Sequence, residues 1–328
     1  MTDVSILIPV YGVENYIEKC VRSLFEQTFE NIEYIFVNDC TIDASIEILK
    51  QVLCDYPERR GRVKIVNHEA NKGISCVRNT LLDQAKGEYI YFVDSDDWIE
   101  KDAIRCMYEK AKIERVDILI CDFFINSMNL ESHVEKCEYI KEQGFNERLE
   151  YLKYSISEKG YASLWKMFIK RELVTNYKLQ FEENLKICED YVMCAKLFYY
   201  AKTISYLPMA FLHYEKRNDN NLSYLDISKM EEAKKAFNVV EIFFKETNIY
   251  HSLVHELNKS KYMLKAKSVL VHELFDCNRY HSYYPDLDHY WRYLSFPIRY
   301  KILFQLLEFR MDFIVIFFKM MGNIRRLL

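Results

Sequence analysis

The stretch YIYFVDSDDWIEKD, residues 89 to 102, ends a strand-like apolar run in Asp94, Asp96 and Asp97. Side chains alternate along a strand, so Asp94 and Asp96 face one side if the extended conformation reaches them. Two carboxylates on one side repel each other unless a cation offsets their charge. Oxygen ligands with a diphosphate as co-ligand suit Mg²⁺ or Mn²⁺. The alternative is that Asp96 and Asp97 cap the next helix.

The elements that would position these acids alternate between strand and helix over the first 120 residues. Apolar runs predict strands at about 4–10, 34–37, 63–66, 88–93 and 116–123, and helical spacing predicts helices at about 13–29, 42–53, 74–85 and 101–113. This alternation predicts a largely parallel sheet covered by helices on both faces. Farther along, we expect a helix at 189–201, a short strand and an extended stretch around Pro208, and helices from about Asp226 onward.

Polar or aromatic clusters follow the first four predicted strands. Ligands of such sheets bind where the carboxyl ends of the strands meet, so we expect the clusters to converge on one edge. They are Pro9-Val10-Tyr11, Asn38-Asp39-Cys40-Thr41, Asn71-Lys72-Gly73 and Asp94-Ser95-Asp96-Asp97. Arg78 lies on the margin of the apolar stripe of the third helix, where an arginine needs an acidic partner.

Composition excludes several classes of function. The 328 residues carry a net charge of −4, which predicts no nucleic-acid partner. Ten scattered cysteines without a CxxC pair indicate free thiols in a reducing, cytoplasmic compartment. Neither a P-loop lysine motif nor a G-x-G-x-x-G fingerprint follows the first strand. The opening segment MTDVSILIPVYG is too short in its apolar run for a signal peptide or a membrane span.

Two long segments carry a family resemblance. VSILIPVYGVENYIEKCVRSLFEQTFENIEYIFVNDCTIDAS and NKGISCVRNTLLDQAKGEYIYFVDSDDWIEKDAI resemble the signatures of family 2 glycosyltransferases, densely over residues 4 to 104 and more weakly to about 224. The resemblance implies an inverting enzyme with the GT-A form of the α/β fold, a Rossmann-like, mostly parallel sheet. It implies a catalytic domain at 1–224, with a nucleotide-sugar half at 1–125 and an acceptor half at 126–224. A C-terminal helical region at 225–328 would follow.

The same resemblance implies a donor site for a UDP-sugar. Asp39 would accept a hydrogen bond from the uracil ring, unless it is only a turn residue. Family members usually have glycine at the position of Cys40, which leaves the shape of this turn open. Arg78 would contact the nucleotide or the strand-end aspartates, the alternative being a structural ion pair. Pro9, Val10 and Tyr11 would line the nucleoside pocket, and Glu14 would lie at its rim. Asn71 and Lys72 would belong to the same edge of the sheet.

Within the acidic stretch, Asp94-Ser95-Asp96 resembles the family's DXD motif. The resemblance assigns Asp94 to the ribose and sugar side and Asp96 to a Mn²⁺ or Mg²⁺ ion that bridges the phosphates. Asp97 is expected to cap a helix that begins near Glu100. His213 falls where such enzymes carry a late histidine of the metal shell, although an ordinary packed histidine is the alternative.

Catalysis and acceptor binding are assigned to the second half of the domain. Glu189-Asp190 resembles the family's ED motif, with Asp190 as the general base, and the alternative is a favourable placement of acids in a helix's first turn. Trp165 and Lys166 resemble a segment beside the acceptor pocket, but Trp165 also suits a core.

The C-terminal segment FPIRYKILFQLLEFRMDFIVIFFKMMGNIRRLL, residues 296–328, mixes aromatic, aliphatic and basic residues. It predicts an interfacial helix that holds the enzyme on the inner face of the membrane, where lipid-linked acceptors lie. The alternative is a helix docked on the catalytic domain or on a second subunit.

Together these features predict a metal-dependent transfer of a sugar from a UDP-sugar to a hydroxyl of a glycan or lipid-linked acceptor in cell-surface polysaccharide synthesis. A nucleotidyltransferase of related fold is disfavoured because no glycine-rich, basic triphosphate loop follows the first strand. A non-catalytic sugar-nucleotide-binding protein is disfavoured by the intact set of Asp39, Asp94, Asp96 and Asp190.

Overall fold

The structure is a computed structural model that describes residues 2–127, 130–137, 148–157, 162–216, 226–271 and 274–320. The chain divides into two compact units, one of residues 1–152 and 162–224 and the other of residues 153–161 and 225–328. Arg325, Arg326 and the predicted end of the catalytic domain at 217–224 lie outside the described residues.

In the part of the chain that the structure describes, the first unit is built on one sheet of nine strands. The strands are β1 Val4–Val10, β2 Ile32–Asn38, β3 Val63–Asn67, β4 Tyr89–Phe92, β5 Trp98–Ile99, β6 Ile118–Ser127, β7 Leu130–Glu135, β8 Met167–Lys170 and β9 Ile204–Lys216. Their order is β3-β2-β1-β4-β8-β6-β9-β5, with β7 paired to β6.

The prediction of a mostly parallel sheet is confirmed. The pairs β1–β2, β2–β3, β1–β4 and β6–β9 are parallel, whereas β8, β5 and β7 pair antiparallel with their neighbours. Every residue of β4, and all but one of β1, are buried, which explains their unbroken apolar runs. The carboxyl ends of β1 to β4 therefore share one edge, as the sequence predicted.

The helices of this unit are α1 Ile17–Phe25, α2 Ser45–Cys54, α3 Ile74–Gln84, α4 Ala103–Glu114, α6 Arg171–Asn176 and α7 Glu189–Tyr200, and α5 Arg148–Ile156 contains the division between the two units after Leu152. Helix α1 is shorter than predicted because Val13 to Tyr16 form a turn instead. The two segments predicted around Pro208 form the single strand β9. Its pairing with β6 shifts between Leu207 and Ala210, and such an irregularity is where a strand accepts proline.

The second unit is helical, as predicted from Asp226 onward. Its helices are α8 Ile227–Glu246, α9 Tyr250–Leu270, α10 Cys277–Ser282, α11 Ile298–Glu308 and α12 Asp312–Met320, with a 3-10 helix at Pro285–Tyr293. The Asp226 side chain caps α8 by accepting a hydrogen bond from the Lys229 N–H at 2.8 Å. Within the described ranges, no helix combines the length and the apolar character needed to cross a bilayer.

Gly87, two residues before β4, provides a test of the close packing between the start of β4 and β1. A Cβ atom there would lie 2.5 Å from the Ser5 backbone nitrogen, closer than atoms can approach without displacing β1. We expect Gly87→Ala to lower the free energy of unfolding by about 1–3 kcal/mol, measured by urea unfolding. Gly61→Ala is the matched control, because no atom lies within 4 Å of its added Cβ. Equal stability of the two variants would contradict this close approach.

Candidate active site

Asp39, directly after β2, is buried at the edge where the strands end. Its Oδ1 accepts a hydrogen bond from the Lys72 N–H at 2.9 Å and lies 2.8 Å from His68 Nδ1, and its Oδ2 accepts one from the Gly73 N–H at 2.8 Å. A carboxylate offers about four lone-pair positions, so Oδ2 keeps one for a further donor. The Asp39 carboxylate is thus fixed in place with one accepting position left.

His68 was not predicted as part of this shell, whereas Gly73 belongs to the predicted cluster Asn71-Lys72-Gly73. His68 follows β3 directly, so the strand-end rule that selected Asp39 also pointed to it. Its Nε2 lies 3.0 Å from Thr80 Oγ1 on α3, which fixes the ring from its other side. Gly73 has a φ of 85°, a conformation that favours glycine and aims its N–H at Asp39.

The turn after β2 adopts the shape that a glycine would favour, although it holds Cys40. Cys40 has a φ of 58°, in the left-handed region. Beyond it, Thr41 Oγ1 accepts a hydrogen bond from the Gly12 N–H at 2.9 Å, and Ser45 Oγ accepts one from the Val13 N–H at 3.1 Å. The loops after β1 and β2 are therefore joined.

The remaining predicted donor-site residues lie along the same edge. Val10 is buried, whereas Tyr11 after it is 53% exposed and presents its ring to solvent. Glu14 is exposed, and its carboxylate accepts a hydrogen bond from the Ala44 N–H at 3.0 Å, ahead of α2. Pro9 is half-buried, and Asn71 and Lys72 are exposed. Their contacts with a nucleotide stay predictions.

Arg78 on α3 contacts acids from two distant parts of the sequence, the acidic turn after β4 and the start of α7. Its buried guanidinium contacts Asp94 Oδ1 at 3.3 Å, Glu189 Oε1 at 2.5 Å and the Asp190 carboxylate. Its Nε finds no hydrogen-bond partner among the residues that the structure describes. The predicted pairing of Arg78 with a strand-end aspartate is present, and it extends to both acids of the ED pair.

Three carboxylates around one guanidinium leave this cluster with excess negative charge. Burial alone would lower the pKa of Arg78, but Asp190, Glu189 and Asp94 together raise it. Burial raises the pKa of Asp190 to about 8, with Arg78 opposing the rise and Glu189 and Asp94 adding to it. The pKa of Asp190 therefore lies near neutral pH, which is the range that suits a general base.

Asp97 does not cap a helix, so that prediction is wrong. Strand β5 follows it at once, and α4 begins only at Ala103. Asp97 Oδ1 instead accepts a hydrogen bond from the Glu215 N–H at 3.0 Å, which joins the acidic turn to β9. Burial raises the pKa of Asp97, and the neighbouring Asp96 and Asp94 raise it further. Its buried Oδ2 has no hydrogen-bond partner in the described part of the chain.

These features fit a divalent cation at the acidic turn. Burial, and after it the charges of Asp96 and Asp94, raise the pKa of the neighbouring Asp97, and Arg78 contacts Asp94. In the described ranges, no three His, Cys, Asp or Glu side chains group as a ready metal site. One or two carboxylates are the usual protein share of a Mg²⁺ site when substrate phosphates supply the other oxygens.

His213 lies in an aromatic stack next to this turn. Its ring is parallel to Trp98 at 3.4 Å and to Phe124 at 4.2 Å between ring centres. Its Nε2 lies 2.8 Å from Glu100 Oε1, and its Nδ1 lies 3.4 Å from the Asn126 amide nitrogen. The arrangement corresponds to the packed alternative, and the metal role of His213 stays a prediction.

Trp165 and Lys166 are both buried in a 3-10 helix, Leu164–Lys166. Trp165 packs edge-on against Phe123 at 4.6 Å and parallel to Tyr214 at 5.7 Å. Burial lowers the pKa of Lys166. The Leu164 N–H donates to the Asp190 carboxylate, so this segment adjoins the ED pair. The acceptor role of the two residues stays a prediction.

Comparison with known proteins agrees with this geometry. Residues 5–171 match the family model "Glycosyl transferase family 2". The "Uncharacterized glycosyltransferase EpsJ" of Bacillus subtilis is 33% identical over 243 residues, which cover 71% of this chain and 69% of that protein.

Two solved structures share the fold. TarS residues 1–349 of S. aureus, in complex with UDP-GlcNAc, superposes with a TM-score of 0.67 at 23% identity, covering 88% of this chain and 81% of that chain. The mannosyltransferase PcManGT of Pyrobaculum calidifontis, in complex with GDP-Man and Mn²⁺, has a TM-score of 0.53 at 14% identity, covering 82% of this chain and 75% of that chain. The fold is therefore GT-A, and the chain belongs to glycosyltransferase family 2.

Proposed function

We propose that this glycosyltransferase is an inverting, metal-dependent enzyme. It takes the sugar from a UDP-sugar and transfers it to a hydroxyl of a glycan or lipid-linked saccharide in cell-surface polysaccharide synthesis, at the cytoplasmic face of the membrane. The observation that carries the proposal is the Arg78 cluster, in which a strand-end acid and both ED acids contact one buried guanidinium. Donor-side and acceptor-side groups of a single transfer reaction need this proximity.

Asp39 is the group that selects the base. Its remaining Oδ2 position accepts a hydrogen bond, and the N3–H of uracil is a donor, whereas N3 of cytosine is an acceptor. The exposed ring of Tyr11, at the end of the neighbouring strand, is available to pack on the base. The UDP-GlcNAc complex of TarS, which has the same fold, supports a uridine nucleotide as the donor carrier.

Asp96 would hold the Mn²⁺ or Mg²⁺ ion, with Asp94 beside it on the ribose and sugar side of the donor. When bound, such an ion supplies positive charge to the leaving diphosphate. PcManGT shares the fold, and its complex with GDP-Man and Mn²⁺ supports the participation of a metal ion. Arg78 is occupied by carboxylates and is therefore a positioning residue, not a direct phosphate ligand.

Asp190 is the proposed general base. Inversion needs one in-line attack by an acceptor hydroxyl, whose proton must pass to a nearby base. The Asp190 side chain is 18% exposed, so one edge of it remains accessible while Arg78 and the Leu164 N–H hold the rest. Glu189, at 10% exposure, serves mainly to position Arg78.

Substitution of the two key acids separates their roles. We expect Asp190→Asn to lower kcat about 10³-fold while UDP binding with Mn²⁺ is retained, because only proton transfer is lost. Asp96→Asn should instead weaken Mn²⁺-dependent UDP binding, measured by calorimetry. Asp55→Asn, on an exposed ion pair with Arg22, is the control. Wild-type turnover in Asp190→Asn would rule out Asp190 as the base.

The pH dependence of kcat/KM tests the ionisation of Asp190. The base acts only when ionised, so activity should fall as the pH decreases through its pKa. Because burial raises that pKa to about 8, the acid limb should lie far above the value of about 4 of an exposed carboxyl. An acid limb near pH 4 would show that another group, or an unperturbed carboxyl, controls the reaction.

Arg78→Met tests the positioning role of the guanidinium. Its loss leaves buried carboxyls without their partner, which should destabilise the protein by about 3–5 kcal/mol. The variant's buried carboxyls then have pKa values above those of the unfolded chain, so stability is lost as the pH rises through them. Urea unfolding should therefore show that Arg78→Met loses more unfolding free energy, relative to the wild-type chain, at about pH 8 than at about pH 5.5.

Arg105→Met is the matched control for this experiment, since Arg105 pairs with Asp102 and Glu109 on the surface of α4. We expect a change within about 0.5 kcal/mol at either pH. A pH-independent deficit in Arg78→Met would contradict the shared-charge role of Arg78.

A further inference from the structure

Helices α11 and α12 present apolar side chains on two faces. One face contributes Phe304, Leu307 and Val315 to the buried core of the second unit. The opposite face is exposed, and we call it the outer face. It consists of Ile298 at 78% exposure, Ile302 at 50%, Phe309 at 63%, Phe313 at 70% and Ile316 at 43%.

Within each of the two helices, helical spacing places the exposed apolar residues of the outer face on one side. Ile298, Ile302 and Phe309 stand at i, i+4 and i+11 along α11 and its end, and Phe313 and Ile316 are three apart on α12. Packing in the unit does not account for these side chains, because the core uses the other sides of both helices. Contiguous exposed apolar surface of this kind marks an interaction site.

The exposed charged side chains of α11 and of the turn after it are positive, and one of them, Arg310, lies 4.0 Å from Asp288 Oδ2. Arg299, Lys301 and Arg310 are exposed beside it. The two acids of the helices are bound internally: Glu308 accepts from Trp291 Nε1 at 2.9 Å and pairs with Arg292, and Asp312 lies 2.9 Å from His281 Nε2. Residues 296–328 contain six basic and two acidic residues, a net charge of +4 in a chain whose total is −4.

We infer that the outer face binds the surface of an anionic lipid bilayer. The exposed apolar side chains enter the boundary between headgroups and acyl chains, and the arginines and lysine meet the anionic headgroups. The net charge of −8 on the other 295 residues opposes any other approach to such a surface. A twofold pairing of two copies is disfavoured, because it would place these basic residues against one another.

The inference rests on the proposed function in one respect: it names the surface of the chain that would meet the membrane at which a lipid-linked acceptor would lie. Binding of the outer face to a bilayer does not depend on the sugar-transfer reaction. Lipid binding is therefore tested without donor or acceptor, and its failure leaves the proposed transfer reaction untouched.

The test is flotation of the full chain with vesicles of phosphatidylcholine alone or with about one third phosphatidylglycerol. We expect binding to the anionic vesicles only, weakened by salt. The double variant Ile302→Glu, Phe313→Glu should lower the affinity on the order of tenfold or more, and so should Arg299→Glu, Lys301→Glu. The matched control is Ile113→Glu, because Ile113 is an 82% exposed isoleucine of the first unit.

Circular dichroism and melting temperature of each variant show that the exposed substitutions leave the fold intact. The inference is overturned if the wild-type chain stays with the soluble fraction, or if the outer-face variants float as it does. It is also overturned if the wild-type chain is a dimer that the outer-face variants convert to monomers without any loss of vesicle binding.

Discussion

The sharing of one buried guanidinium among three carboxylates determines how the site is assembled. Arg78 stands on α3 between Ser75 and Asn79, and these three residues occupy one face of the helix. Ser75 Oγ donates to the Leu185 carbonyl at 2.9 Å, and Asn79 exchanges two hydrogen bonds with the Phe181 backbone at 3.0 and 2.8 Å. One helix face thus fixes the segment that leads into α7, and with it the ED pair, against the end of β4.

This arrangement also places an electrostatic burden on the protein. Three carboxylates share the one guanidinium of Arg78, and burial, with the charges of Asp96 and Asp94 adding to it, raises the pKa of Asp97. The repulsion is a cost to folding in the absence of ligand, and the same repulsion favours a cation that arrives with a diphosphate. Under the proposed function, stability and donor binding would depend on the same few carboxylates.

Local sequence patterns predicted much of this site, since strands and strand ends have local signals. The apolar runs located β1 to β4, and the rule that ligands bind at strand ends selected Asp39 and the acidic turn. His68 was missed although it obeys the same rule. The partner of Asp97 had no local signal at all, because Glu215 lies 118 positions away on a strand whose pairing depends on the whole sheet. The antiparallel insertion of β8 between β4 and β6 is equally a product of long-range packing.

We propose that the strand-edge acids bind a nucleotide diphosphate through a cation. A thermal-shift comparison tests this binding most directly. UDP is added to the wild-type chain with Mn²⁺ or with a chelator in its place. Ligands that bind the native state raise its melting temperature, and saturation at 100 times the dissociation constant adds about 2.7 kcal/mol. We expect the melting temperature to rise by about 5 °C when UDP is added with Mn²⁺, and almost not at all when UDP is added with the chelator. An equal rise under both conditions, or no rise under either, would contradict it.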